Sequence, residues 1–581
     1  MSTTPSTTPP PTATAAVVPL GAQRSAGAEE RFFLLLSIFI GVYAGLAVVC
    51  FRLTIEWTRI YTLGSSLAIT GPRLIIAPAV AGLVVAFLVM KVFPAVRGSG
   101  VNQTKSALYI SNGYIPLRTA IGKFICSALA IGAGHSLGPE DPSLQIGATL
   151  ASALGRRLRL SREKTRLIAP VGAAAGLAAA FNAPISAVLF VIEEVIGRWS
   201  AGILGSIVLA AVSSVVVARF FLGAEPMFRV PTVSIISTEE LLAYALLGVA
   251  GGIASLIFAK LIGWSRPILK AMPRWTQYFQ PAIAGAIIGT IGYLGFPQVM
   301  GAGYEYMDQA MHSQFTWQVL LILAALKIAA TTMSFTSGTP GGMFAPALFI
   351  GAMLGAATGG IEHLLLPRLT GSVGTYALVG MGVLFAAFLR APLTSVFMVL
   401  EVSGNYSIII PVILANTIAY LISRSMQPTP IFEVLTRQDG LLLPSMEEQR
   451  DAGVLRVEDA MRPYAGPTLE SDELAEVAAE RAASSPEPVL LVRRGAYAQW
   501  FAIRRDTLRS APPHSLVAHV LPEEPLPVLF PDIPLEAALR RLHGHEVVPV
   551  VNRGDPLKLE GVLTLELVLQ TYSKARDEPF E

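Results

Sequence analysis

Gly138-Pro139-Glu140-Asp141-Pro142-Ser143-Leu144-Gln145-Ile146-Gly147-Ala148 has an echo in the same chain, Gly342-Met343-Phe344-Ala345-Pro346-Ala347-Leu348-Phe349-Ile350-Gly351-Ala352, at an offset of 204. Both stretches share a glycine, a proline four residues on, and then Ile-Gly-Ala. Three further matches keep the same order. Phe93-Pro94-Ala95-Val96-Arg97-Gly98-Ser99-Gly100 corresponds to Phe296-Pro297-Gln298-Val299-Met300-Gly301-Ala302-Gly303, at 203. Lys123 corresponds to Lys327, at 204, and the stretch from Ala183-Pro184 to Glu193 to that from Ala391-Pro392 to Glu401, at 208. Chance agreement of glycine and alanine explains one block poorly and four in order hardly at all. The chain therefore contains two homologous halves, about 31–223 and 236–435, and the matches leave open whether these run parallel or inverted.

The surroundings of these blocks are apolar. Of 581 residues, 53% are hydrophobic and 14% charged, with a mean hydropathy of +0.57; a soluble domain carries more charge. Uncharged runs at 32–51, 74–90, 201–218 and 241–259 approach the roughly 20 residues that cross a bilayer core of about 30 Å. Runs at 121–138, 281–295 and 371–388 are short and broken by glycine. Lys123, Glu140, Asp141, Glu193, Glu194, Lys327 and Glu401 lie inside apolar stretches. An ionisable group at membrane depth costs roughly 2.5–3.5 kcal/mol even on lenient scales, so each needs a partner or a polar path. Broken helices with internal charges indicate a transport core, with its site where two halves meet near the bilayer midplane.

Three glycine-rich segments lie at the edges of apolar helices: Gly98-Ser99-Gly100-Val101, Gly138-Pro139-Glu140-Asp141-Pro142, and Gly338-Thr339-Pro340-Gly341-Gly342-Met343-Phe344-Ala345-Pro346. Glycine permits close approach of backbone to an ion, and proline suits a first helical turn. Unpaired N–H groups and the positive end of the helix dipole then face a ligand. Partial charges hold an anion without trapping it, as a full Lys or Arg charge would. The bland alternative is a set of helix breaks that serve packing alone.

In this order the three segments resemble the anion-binding motifs of the CLC family, GSGIP, GREGP or GKEGP, and GxFxP. Gly172-Ala-Ala-Ala-Gly-Leu-Ala-Ala-Ala-Phe-Asn-Ala-Pro184 leading to Phe190-Val-Ile-Glu-Glu194, and Arg390-Ala-Pro-Leu-Thr394 leading to Leu400-Glu-Val-Ser-Gly-Asn-Tyr406, are also similar to that family, over about 30–435. The resemblance implies an all-α polytopic membrane protein with inverted repeats, a homodimer with one chloride pathway per subunit. It implies anion-binding roles for Ser99, Gly100, Glu140, Asp141, Met343, Phe344, Ala345 and Phe432. The Ser99 hydroxyl and the N–H groups of Met343 and Phe344 would hold a central chloride. Glu140 would be the external gate and, with Glu194, a proton carrier. The chain departs from the motifs at Val101-Asn102, at Pro139 where Arg or Lys is common, at Asp141 where Gly is usual, and at Phe432 where the family has tyrosine. Phenylalanine has no hydroxyl for the ion. Glu194 could instead be a structural acid paired with a base, and since Glu193 adjoins it, one of the two is expected to be structural. Lys123 reads as structural or pathway-tuning, and Glu401 as structural.

Beyond 440 the composition turns soluble. Strand-like runs at 489–492 and 547–551 alternate with helix-like runs at 472–483 and 535–542. Val457-Glu-Asp-Ala-Met461 and Gly561-Val-Leu-Thr564 resemble the opening and close of a CBS pair, expected as an α/β module over 440–520 and 521–581. The resemblance allows an adenine nucleotide there, but Leu567 and Ile503 break the Thr-x-x-Asp pattern. A dimerising, regulatory or merely stabilising platform is the expectation. Residues 1–30, rich in Thr, Pro and Ala, read as a disordered cytosolic tail.

Several function classes fall away. A net charge of +3 gives no footprint for nucleic acid. No Ser/His/Asp set, metal cluster or phosphate loop supports an enzyme. Cys50 and Cys126 read as core packing, and His543 and His545 as surface residues. The candidate functions are proton-coupled chloride exchange, a passive voltage- or pH-gated chloride channel, and transport of another anion such as fluoride or nitrate. The expected location is a prokaryotic inner membrane, with both termini cytoplasmic.

Overall fold

The computed structural model describes residues 20–64, 71–158, 160, 162–197, 201–225, 227–228, 239–366, 371–441, 443, 455–495, 499–552 and 555–577. The chain divides into two compact units, Met1–Met446 and Glu447–Glu581.

The first unit is helical, and its halves repeat element by element. The first half holds α1 (Leu20–Thr62), α2 (Arg73–Phe87), α3 (Val101–Tyr109), α4 (Leu117–Gly132), α5 (Glu140–Arg157), α6 (Arg162–Phe181), α7 (Pro184–Phe190) and α8 (Ala201–Leu222). The second holds α9 (Glu240–Ala271), α10 (Gln280–Tyr293), α11 (Tyr304–Met311), α12 (Trp317–Thr336), α13 (Phe344–Leu365), α14 (Val373–Leu389), α15 (Pro392–Ser403) and α16 (Ile409–Met426), and α17 (Ile431–Gln438) follows. Packing repeats too: α1 lies on α8 as α9 lies on α16, and α5 on α6 as α13 on α14. The repeated Ile-Gly-Ala explains the last pairing. A Cβ at Gly147 or Gly172 would strike the other's carbonyl oxygen, and the same holds for Gly351 and Gly380. Close helix crossings of this kind need small residues.

Among the described residues, seven helices are long and apolar enough to cross a bilayer, including Arg31–Thr62 and Glu240–Ala271. Apolar side chains such as Leu35, Phe39 and Leu242 stay exposed on them, as lipid contact requires. Helix α1 starts at Leu20, so the expected tail ends earlier than residue 30; Ala, Gln, Arg and Glu in 20–30 favour helix, and residues 1–19 lie outside the described residues. Cys126 is buried as expected, whereas Cys50 is exposed.

Duplicated polar contacts join the halves. Gly138 and Gly342 exchange both backbone hydrogen bonds, at 2.9 and 2.8 Å. Glu193 accepts from Leu393 N–H (3.3 Å), Thr394 N–H (2.9 Å) and the Thr394 hydroxyl (2.6 Å) at the start of α15. Glu401 accepts from Ile185 N–H (2.9 Å), Ser186 N–H (2.8 Å) and the Ser186 hydroxyl (2.5 Å) at the start of α7. Each half thus caps a helix of the other about a pseudo-two-fold axis.

The second unit is α/β. Strands β1 (Leu469–Glu470), β2 (Val489–Arg494) and β3 (Gln499–Arg504) form one sheet, β1 parallel and β3 antiparallel to β2. Strands β4 (Val548–Val551) and β5 (Leu559–Leu563) form an antiparallel pair. A helix spans Leu535–Leu542 as the sequence predicts, and Ala475–Arg481 is shorter than its predicted run. Val457 and Ala460, near the start of the tail, pack with Leu529, Leu535 and Val568 near its end, so the two modules share chain across the expected boundary. His543 is exposed and His545 partly so.

Candidate anion pathway

The three glycine-rich segments meet at one buried place. Gly138 and Gly342 link the second and third. Gly100 brings in the first: its φ of 117° requires glycine, and a Cβ there would stand 2.8 Å from Gln145 Cβ and 2.9 Å from the Asp141 carbonyl oxygen. Gly338 is covered by the guanidinium of Arg97, with a built Cβ at 2.5 Å from its Nε. Asn102 Nδ2 donates to the carbonyl of Phe432 at 3.0 Å, so the end of α16 and start of α17 close on the first segment.

Lysines stand behind the first of these turns and behind its counterpart in the second half. Lys123 Nζ donates to Val96 O (3.0 Å) and Gly98 O (2.5 Å); Lys327 donates to Val299 O (3.0 Å) and Gly301 O (2.8 Å). A carbonyl held by an ammonium is turned away from an anion, so Lys123 tunes the first segment without touching a ligand in it. Its pairing also satisfies a fully buried charge, which burial alone would penalise heavily.

Helices α5 and α13 both begin here, and the first N–H groups of a helix lack intrahelical acceptors. Two carboxylates have taken such donors. Glu140 Oε2 accepts from Ala345 N–H at 3.4 Å, and Asp141 Oδ2 accepts from Met343 N–H at 3.2 Å. Both residues are fully buried, and Glu140 Oε1 and Asp141 Oδ1 have no partner among the described residues. The N–H of Phe344, between the two occupied donors, has no protein acceptor among the described residues. The Met343 N–H, expected to face a central anion, is held by Asp141 in this structure, where the resembling motif has glycine.

Ser99 is buried and its Oγ accepts from Val101 N–H at 3.3 Å, which directs the hydroxyl hydrogen elsewhere. The ring of Phe432 is buried edge-on to Phe344, at 6.4 Å between centroids. Phe344 also packs on Phe190 and Phe385, at 4.8 and 5.4 Å. The pathway at this level is therefore walled by aromatic rings.

Of the two adjacent acids, Glu193 is fixed to the start of α15. Glu194 forms an ion pair with Lys105 at 3.1 Å, a contact that sequence reading missed; Lys105 sits on α3, one turn beyond the first segment. Arg52 was also missed. It lines a cavity of about 360 Å³, together with Glu56, Arg59, Glu305 and Pro139, that reaches the residue before Glu140. Arg59 is paired with Glu56 at 2.6 Å, whereas Arg52 makes one long bond, 3.5 Å, to Ala180 O. Arg52 thus brings a cation from α1 into the cavity that Pro139 also lines.

Comparison with known proteins identifies the family. A family model described as voltage gated chloride channel matches residues 81–424, and one for the CBS domain matches 517–574. The ClcB-like protein of Ralstonia nicotianae is 31% identical over 419 residues, 70% of this chain and 97% of that protein. The H(+)/Cl(-) exchange transporter ClcA of Salmonella paratyphi B is 32% identical over 413 residues, 69% of this chain and 87% of that protein. The crystal structure of a slow cyanobacterial Cl-/H+ antiporter shares the fold, with a TM-score of 0.65 at 24% identity over 70% of this chain and 97% of that one. The chain is an integral membrane protein that belongs to the voltage-gated chloride channel family, CLC, with a C-terminal CBS region.

Proposed function

We propose that this protein exchanges chloride for protons across a membrane, with Glu140 as the gate. The observation that carries the reading is the Glu140 carboxylate on Ala345 N–H, at the meeting point of two helix starts. It occupies the kind of donor that would hold an anion. Protonation removes the charge that makes this bond strong; the side chain then leaves and chloride takes its place. Glu194 relays protons to Glu140 from the other side, while Ser99, Gly100, Phe344, Ala345 and Phe432 line the anion route. A homodimer in a prokaryotic inner membrane, with cytoplasmic termini and a regulatory or dimerising tail, completes the reading.

The Glu194–Lys105 pair favours a second reading, since a carboxylate held by a lysine is a poor proton relay. In that case the protein is a passive chloride channel. Reconstitution in vesicles separates the two: a chloride gradient is imposed, the voltage is clamped with valinomycin and potassium, and internal pH is recorded. Exchange predicts uphill proton movement that Glu140→Gln and Glu194→Gln abolish. Chloride flux without proton movement establishes the channel. Flux of fluoride or nitrate but not chloride refutes the chloride assignment.

A further inference from the structure

We propose that Asp141 is a second tethered anion of the pathway, which holds the Met343 N–H that a transported anion would otherwise use. The inference rests on the reading above that this is an anion route.

Glu140 and Asp141 are neighbours in sequence but reach different donors of the opposite half. Glu140 reaches Ala345 N–H and Asp141 reaches Met343 N–H, the two donors that flank Phe344. An acid in a first helical turn is stabilised by its own helix dipole, and that alone would be a structural role. Two observations point further. The Asp141 side chain crosses to the start of α13 rather than capping α5, and it packs on Gly342, where a Cβ would stand 2.9 Å from Asp141 Cγ. Among the described residues its second oxygen has no partner, and one turn along α5 the amide of Gln145, also fully buried, has neither its nitrogen nor its oxygen paired. Buried polar atoms in native proteins are nearly always satisfied by protein, water or ion. This turn, pressed against Gly100, therefore presents polar atoms that a water or an ion would satisfy.

A backbone donor at a helix start binds a carboxylate and a small anion by the same charge-assisted bond. While Asp141 holds Met343 N–H, a chloride at this level has Phe344 N–H and the Ser99 hydroxyl but lacks one donor and faces a fixed negative charge. Asp141 thereby weakens anion occupancy at the central level, independently of Glu140 at the outer one.

The test is chloride binding to the purified full chain by isothermal titration calorimetry, in wild type, Glu140→Gln, Asp141→Asn and Asp141→Gly. Asp141→Asn keeps the volume against Gly342, and Asp141→Gly restores the usual motif residue. A chloride dissociation constant lower by roughly tenfold or more is expected in Asp141→Gly, the scale of one hydrogen bond to a charged group, and a smaller decrease in Asp141→Asn, whose amide oxygen still accepts from Met343 N–H. Binding in these variants where wild type shows none is the same result in its extreme form. Unchanged or weaker binding by folded Asp141→Gly overturns the inference while leaving the pathway intact, provided wild type or Glu140→Gln binds chloride. Chloride binding by none of the four proteins overturns the anion route and this inference with it. Loss of folded protein in both Asp141 variants makes Asp141 a structural tether and overturns the inference alone.

Discussion

Glu193→Ala and Glu401→Ala should both loosen the fold, to different degrees, without changing what is transported. Glu193 is 3% exposed and accepts three hydrogen bonds at the start of α15; Glu401 does the same at the start of α7 but is half-buried. A hydrogen bond to a charged group contributes roughly 1.5–3 kcal/mol, and a favourable helix-end charge adds up to about 2 kcal/mol. These contributions overlap, and removing one partner of a buried charged arrangement costs about 3–5 kcal/mol in total. Glu193→Ala should lie in that range, Glu401→Ala below it, and Glu193→Gln, which still accepts from Thr394, below both. Chemical unfolding in detergent gives the stability order. Vesicle flux of the protein that survives gives the chloride-to-proton ratio, which should stay at the wild-type value. Full stability in Glu193→Ala together with a changed ratio would falsify the division of labour between Glu193 and Glu194.

Lys123→Met and Lys327→Met should destabilise to a similar degree, since each lysine holds two carbonyls, but only Lys123→Met should also weaken chloride binding, because Val96 and Gly98 lead into the segment that carries Ser99; unfolding and calorimetry measure the two effects. Arg52→Gln should slow chloride uptake into vesicles at low ionic strength, and the deficit should shrink as salt screens the charge within about 10 Å at 0.1 M. In the tail, the hydrogen bond from Arg462 holds the Glu487 carboxyl below the usual glutamate range. That contribution is therefore fully present above the ordinary glutamate value of about 4.3 and is lost as pH falls through the lowered one. Limited proteolysis of the tail across this acid range should show the loss in wild type and a flatter profile in Glu487→Gln, with a small amplitude because Arg462 is 40% exposed.

The apolar runs, the two halves and the three segments were legible because each is a local pattern: run length, repetition, and glycine beside proline. The membrane helices α2, α8 and α9 begin within a residue of their predicted runs for this reason. What was not legible depends on contacts between distant segments. Lys105 pairs with Glu194 across 89 residues, and nothing local to α3 marks that lysine as different from a surface one. Asp141 was recognised as an extra charge, but its hold on Met343 N–H across 202 residues needs the two helix starts side by side. Arg52 lines the cavity beside Pro139 from α1, one residue past the uncharged run at 32–51, whose hydropathy says only that it spans.

The repeat offers a second way to sort buried polar groups. Groups that hold the scaffold occur in both halves: Lys123 with Lys327, Glu193 with Glu401, Gly138 with Gly342. Their contacts are duplicated bond for bond, as a two-fold scaffold demands. Groups assigned to transport break the repeat. At the same offsets Glu140 faces Phe344, Asp141 faces Ala345, Ser99 faces Ala302 and Glu194 faces Val402. A single route through a symmetric frame needs such asymmetry, because a carboxylate in both halves would place two like charges at one point. On this criterion Glu193 sorts with the scaffold and Glu194 does not. The criterion also separates Asp141 from the tethers: its counterpart is an alanine, so the fold closes the other half without it.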